Sequence, residues 1–141
     1  MKKKKKKKSP RAKLTDKLDE LCKQIIRERD DHRCQKCGKP VSGSDAHGSH
    51  VVPKGNGASK RRFDLINMKL LCMYDHLHWW HKNPTEAGKW FALKFHARDE
   101  YLEKYRYGKT AKITTAEMED LVVVYEEKLK ELLAEKQSEK H

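Results

Sequence analysis

The sequence predicts an α+β fold, a small metal-stapled core with helices on both flanks. Three observations predict it. A two-Cys knuckle, Cys34-x-x-Cys37 in "RCQKCG", is answered further on by Cys72 and Asp75 in "LCMYDHLHWWH". Residues 34–82 are rich in Gly, His and Cys and carry only short apolar runs, whereas the segments before and after them space their apolar residues as helices do. Five of the eight His fall between positions 47 and 81, a concentration that scattered surface residues would not give. With 38% charged and 36% apolar residues in a chain of 141, one domain is expected, and its core is modest enough for a metal staple to matter.

The elements follow in order. Residues 1–13 hold Lys2 to Lys8, Arg11 and Lys13 and no acid. Of the net charge of +12, nine come from this stretch, leaving +3 for everything after it. A Lys run buries no apolar surface, so 1–13 is predicted to be a disordered tail that attracts phosphates without reading sequence. The alternative is a solubility tail or a cloning artefact. No apolar stretch follows it, which argues against a secretory signal, and no run of about 18 apolar residues marks a membrane span. Residues 14–30 place Leu14, Leu18, Leu21, Cys22, Ile25 and Ile26 at helical spacing, and Cys22 on that apolar face reads as a core residue. After the core, Asn83 as N-cap, Pro84 at the first position and Glu86 start a helix that runs to about Tyr107, with Gly108 as its stop. Residues 108–141 form an acidic amphipathic helix opened by a Thr114–Glu117 capping box. Met118, Leu121, Val122, Tyr125, Leu129, Leu132 and Leu133 make its apolar face. That stripe packs on the first helix or serves a protein partner or self-association, and DNA should avoid the acidic side.

Four Cys do not imply two disulfides in this setting. A Cys-x-x-Cys knuckle presents two thiolates to one tetrahedral ion and needs two more ligands. Cys34, Cys37, Cys72 and Asp75 would close a structural Zn2+ site, with His78 the alternative fourth ligand. That leaves His47, His50, His76, His78 and His81 free for other work.

The pattern "GSHVVPKGNGASKRRFDLINMKLLCMYDH" then resembles the HNH, or ββα-metal, nucleases. Cys34-x-x-Cys37, His50, Asn67, "KLLC" and His76 stand where that family carries its motif residues, and the following "WWHKNPTEAGKWF" is similar to a phage branch near the NinG/Rap-like recombination endonucleases. The resemblance covers residues 31–107 and implies a zinc-stapled ββα-metal core flanked by helices. It implies His50 as the general base that deprotonates water, Asn67 as the brace of the loop bearing it, and His76 as ligand to a catalytic divalent cation, Mg2+ or Mn2+ with Zn2+ or Ni2+ as alternatives. Two departures stand out. Ser49 occupies a place where many members carry a ligand, so Asp45, His47 or waters would replace it, and Asp75 stands where a Cys is usual. Where a further His one helical turn on would complete the ion's shell, this chain has Trp80, which leaves His78 and His81 as surface or phosphate contacts. Trp79 and Trp80 read as core more readily than as base-stacking platforms, and Trp80, Trp90 and Phe91 as the packing between the next helix and the core.

The segment "PKGNGASKRRFD" is expected to be a mobile surface loop whose Lys54, Lys60, Arg61 and Arg62 contact DNA phosphates. Residues 31–82 hold nine Lys or Arg against four Asp, a basic face beside the expected ion. The implied function is metal-dependent hydrolysis of DNA phosphodiester bonds in phage recombination or processing, in the cytoplasm of a bacterial host. A non-catalytic, zinc-stabilised DNA-binding protein is the alternative, and a scaffold using the acidic helix is a third reading.

Overall fold

The computed structural model describes residues 6–108 and 111–139. Its first helix, α1 (Pro10–Arg29), begins four residues before the predicted start. The signal is Ser9-Pro10: Ser9 Oγ accepts from the Ala12 N–H at 3.2 Å, and Pro10, with no N–H to leave unpaired, takes the first turn. Pro10–Lys13 are therefore helical, which corrects the expectation of a disordered tail over 1–13. Residues 1–5 of that tail lie outside the described residues. The buried face of α1 is Leu18, Leu21, Cys22, Ile25 and Ile26. Cys22 is a core residue, as read from its spacing, and burial pushes its thiol up to about 12.

The end of α1 is wired to the sheet. Asp31 and His32 take left-handed backbone (φ 56° and 53°) and turn the chain toward the knuckle. Arg29 forks onto the Asp30 carboxylate at 2.9 and 3.1 Å and donates to the Leu65 and Met68 carbonyls at 2.7 Å each. Asp30 in turn accepts from the Leu70 N–H at 2.9 Å. Strands β1 (His47–His50) and β2 (Met68–Leu71) form an antiparallel pair, with His47 opposite Leu71 and His50 opposite Met68. All four β2 residues are buried, Lys69 among them.

The connection between the strands differs from expectation. Its second half is pinned: Phe63 is 1% exposed, Ser59 bridges to Lys112, and Arg62 grips Asp19 of α1 at 2.6 and 2.9 Å. Gly and length signalled mobility, but a large aromatic and a charge pair fasten the loop to α1. After β2 comes a π-helical segment, Asp75–Trp80, then α2 (Pro84–Lys94) and α3 (His96–Tyr107). The single helix expected from Asn83 to Tyr107 is broken at Phe95 (φ −126°, ψ 54°), where the ring packs on Phe91 and Trp90. The bend delivers Leu102 to a small core with Val52 and Phe91. The Asn83 side chain makes no capping bond, in contrast to expectation. The Thr114–Glu117 box forms reciprocally, at 3.0 and 3.1 Å, ahead of α4 (Thr115–Glu139).

The α4 stripe packs on α1. Met118, Val122 and Tyr125 are buried with the α1 face, and Leu121, Leu129 and Leu132 are half-buried against it; Leu133 stays exposed. Trp80 and Trp90 touch both core clusters, and Trp80 meets Phe91 edge-on, so these rings join α2 to the hairpin as expected. Among the described residues no helix is long and apolar enough to cross a membrane.

Candidate active site

Two groups of side chains gather around the segment after β2: a Cys/Asp cluster that could hold a metal ion and a row of histidines. The first is closed. Cys34, Cys37, Cys72 and Asp75 place one ligand atom each within 4.8 Å of one another, and Asp75 Oδ2 lies 3.2 Å from Cys34 Sγ and 3.3 Å from Cys72 Sγ. Tetrahedral ligands at about 2.0–2.3 Å from an ion stand roughly 3.5–3.8 Å apart, so this group could hold a metal ion after small adjustments. Local backbone explains the convergence. Gly38 (φ 79°) lets the knuckle turn back, with its N–H on the Cys34 carbonyl at 2.8 Å. The Gln35 N–H donates to the Leu70 carbonyl at 2.9 Å, seating the knuckle on β2. The Asp75 N–H points at Cys72 Sγ at 3.4 Å. His78 is exposed, beside Tyr74 and away from this group. Asp45, an alternative ligand for the second site, is committed elsewhere: it accepts from the Met73 N–H at 2.9 Å and pairs with Lys39 at 3.1 Å. The first of these contacts is the main reason its carboxyl sits below the usual range.

The second group gathers around an open cleft. Two adjoining depressions of about 290 and 620 Å³ share Gly48, His50, Lys54 and His76. The His50 Nε2–H donates to the Arg62 carbonyl at 2.9 Å. A carbonyl only accepts, so Nε2 carries the proton and Nδ1 keeps its lone pair. Burial holds the His50 pKa below its ordinary value, the Arg62 carbonyl opposes that, and the Lys54 charge adds to it. Asn67 fixes this arrangement from below. Fully buried, it accepts from the Val52 N–H at 2.8 Å and donates to the Val52 and Arg61 carbonyls at 2.9 and 3.0 Å. Val52 stands two residues after His50, and Arg61 immediately precedes the Arg62 that holds the His50 ring. Asn67→Ala leaves three backbone groups without partners. It should cost about 2–4 kcal/mol in urea unfolding, and a loss below about 1 kcal/mol would remove the brace role.

Three histidines converge in a row. His47 Nδ1 faces His76 Nδ1 at 2.9 Å, and His76 Nε2 faces His81 Nε2 at 3.0 Å. The His47 Nε2–H donates to the Ser44 carbonyl at 2.8 Å, which leaves its Nδ1 as a lone pair directed at His76. Burial first, and then the neighbouring His81, His47, Lys69 and His50, lower the His76 pKa to about 4, so its ring is neutral at pH 7. His81 corrects the sequence reading. On an α-helix its ring would point off to one side of His76. The π turn adds about a residue per turn, closes the His81 N–H onto the His76 carbonyl at 3.2 Å, and brings the i, i+5 rings together at a tilt of 48°.

Ser49 is fully buried and does not reach this row. It accepts from Lys69 Nζ at 2.9 Å, and that nitrogen lies 3.2 Å from the centroid of the Trp80 ring. Lys69 is fully buried and forms no ion pair among the described residues, and burial drives its pKa well below the lysine range. The fold therefore favours the neutral amine, and Lys69 should make stability climb as pH rises toward the ordinary lysine value. Lys69→Met with Ser49→Ala removes the buried amine and its partner together. We expect this pair to be about 1–3 kcal/mol more stable than the parent at pH 7, with that alkaline slope gone. Urea titrations across pH test it, and a double variant weaker than the parent would show that the amine stabilises.

Of the four cations expected on DNA, only Lys54 lines the cleft. Arg62 is held by Asp19, Lys60 pairs with Glu117 at 3.6 Å, and Arg61 lies against Gly55 with its Nε buried. Lys23 from α1 also lines the cleft, as does Arg106 from α3, which is paired with Asp99 at 2.7 Å; no local motif marks either residue. Compared with protein-family models, with curated proteins and with solved structures, the chain gives no match.

Proposed function

We propose that the protein is a metal-dependent endonuclease of the HNH type, hydrolysing DNA phosphodiester bonds. The observation that carries the reading is the shared opening of His50 and His76 on one cleft. His50 brings a lone pair fixed by a backbone carbonyl, and His76 brings a neutral ring set between two further imidazoles. Zn2+ is the ion that best suits the three thiols and one carboxylate of the closed group.

The row of imidazoles fits a catalytic cation. Cis ligands at about 2.1 Å from an ion stand roughly 3.0 Å apart, close to the 2.9 Å between His47 Nδ1 and His76 Nδ1. With those two nitrogens given to an ion, the His76 Nε2–H donates to His81, which orients the ring from behind. A divalent cation there would supply charge stabilisation at the phosphoryl and leaving oxygens. His50 takes the proton of the attacking water at Nδ1, Asn67 keeps the ring aimed, and Lys23 and Lys54 attract the backbone.

The test is nicking of supercoiled plasmid by the zinc-loaded protein across a series of cations. Imidazole donors favour Mn2+ or Ni2+ over Mg2+, so nicking should be faster with the first two. Plasmid binding without nicking under any of these cations would replace the enzyme with a zinc-stabilised DNA-binding protein, the reading that the engagement of Ser49 by Lys69 favours.

A further inference from the structure

Away from the cleft, cations and aromatic rings alternate along one strip of surface. Lys36 on the knuckle sits 5.0 Å from the centre of Trp79, and Trp79 meets Trp90 edge-on at 5.2 Å. Lys94 lies 5.5 Å from Trp90 and 5.6 Å from Phe95, and Arg98 caps Phe95 at 4.7 Å. The two lysines are exposed, and the three rings and Arg98 are half-buried. Among the described residues none of these cations pairs with a carboxylate. Lys94 donates only to the Gln35 carbonyl, and Arg98 Nη1 is buried with no partner. The carboxylate whose charge reaches Arg98 is that of Asp30, already taken by Arg29 and the Leu70 N–H. The strip thus holds three unneutralised positive charges among three flat apolar faces.

We propose that this strip docks single-stranded DNA, so that the enzyme holds an unpaired arm of its substrate beside the duplex it cuts; calling the strand DNA rests on the nuclease reading. The chemistry suits that ligand and few others. Phosphates supply the anions that Lys36, Lys94 and Arg98 lack, and exposed bases offer π faces to Trp79 and Trp90. A lysine ammonium 5–6 Å from a ring is loosely held by it; Lys36 can swing to a phosphate as a base takes its place, and Lys94 can do so by releasing the Gln35 carbonyl. A duplex keeps its bases stacked inside and gains only the charge contacts, so unpaired strands are preferred.

The test uses the full-length, zinc-loaded protein carrying His50→Ala, without added catalytic cation and at one fixed salt concentration. The probes are a labelled oligo(dT) and a blunt duplex of equal length. Lys36→Glu with Lys94→Glu should weaken oligo(dT) binding at least about tenfold and duplex binding by less than about threefold. The same oligomer should quench tryptophan emission in the parent and much less in the variant. Retained zinc shows that the variant is folded, and Trp79→Ala gives a second, charge-neutral check with the same expected direction. Equal weakening of both probes, or no change in either, overturns the strip. The cleft is scored separately by plasmid nicking in the same charge variants with His50 restored. Oligomer binding lost through the strip in a protein that never nicks would keep the dock and discard the nuclease. Normal nicking with no strand preference would do the reverse.

Discussion

With Zn2+ as the proposed occupant of the closed group, Cys34→Ser should yield a protein that retains no zinc and is largely unfolded at room temperature. Cys34 is 1% exposed and meets Asp75 and Cys72 at the centre of the closed group. A serine oxygen is a poor replacement for a thiolate on zinc. The ion's binding free energy, about 10–16 kcal/mol for small zinc modules, is comparable to the whole stability of a domain this size. The damage also spreads. The knuckle is seated on β2 through Gln35, and β2 anchors the end of α1 through Asp30. Binding of the ion must displace thiol protons: without it, burial raises the Cys72 pKa to about 12, the Asp75 N–H opposing the rise and the Asp75 carboxyl and Cys34 adding to it. Apparent zinc affinity should therefore increase with pH. Elemental analysis and thermal melts check both points, with Cys22→Ala as the control that keeps its metal. A zinc-free Cys34→Ser protein melting where the parent does would end the staple argument.

His50→Ala should slow nicking by about 10²–10⁴-fold, the range lost with a general base, while plasmid binding stays within about twofold. Among the described residues the ring's one hydrogen bond goes to the Arg62 carbonyl, and the ring is only half-buried, so folding should hold. The pH profile adds a second readout. Because the His50 pKa is lowered, the ring is neutral, and so a base, from below 6.5 upward. Rates should rise with pH to a midpoint below 6.5 and level off above it. A parent and variant that nick alike would trace the activity to a contaminant.

Much of this architecture is legible in the sequence because it is written in short-range spacing. The knuckle, the Thr114–Glu117 cap and the apolar faces of α1 and α4 each depend on residues within a turn or two of one another. Ser9-Pro10 is equally legible as a start signal, but the Lys run beside it masks it. The features that escape depend on partners far along the chain. Nothing near Arg62 announces Asp19, and nothing near Phe95 announces the break that brings Leu102 to Val52. The pairing of Lys69 with Ser49 and Trp80 needs the strand register. His81 escapes for another reason. A period of 3.6 turns its ring aside, whereas the backbone here has a longer period, and no composition rule marks a π turn.

That longer turn bears on ancestry. On an ordinary α-helix the ring four residues on would meet the same neighbour, whereas here the wider turn brings in the ring five residues on. Kinship for this chain is therefore better sought by where imidazoles meet in space than by a fixed count of letters between them.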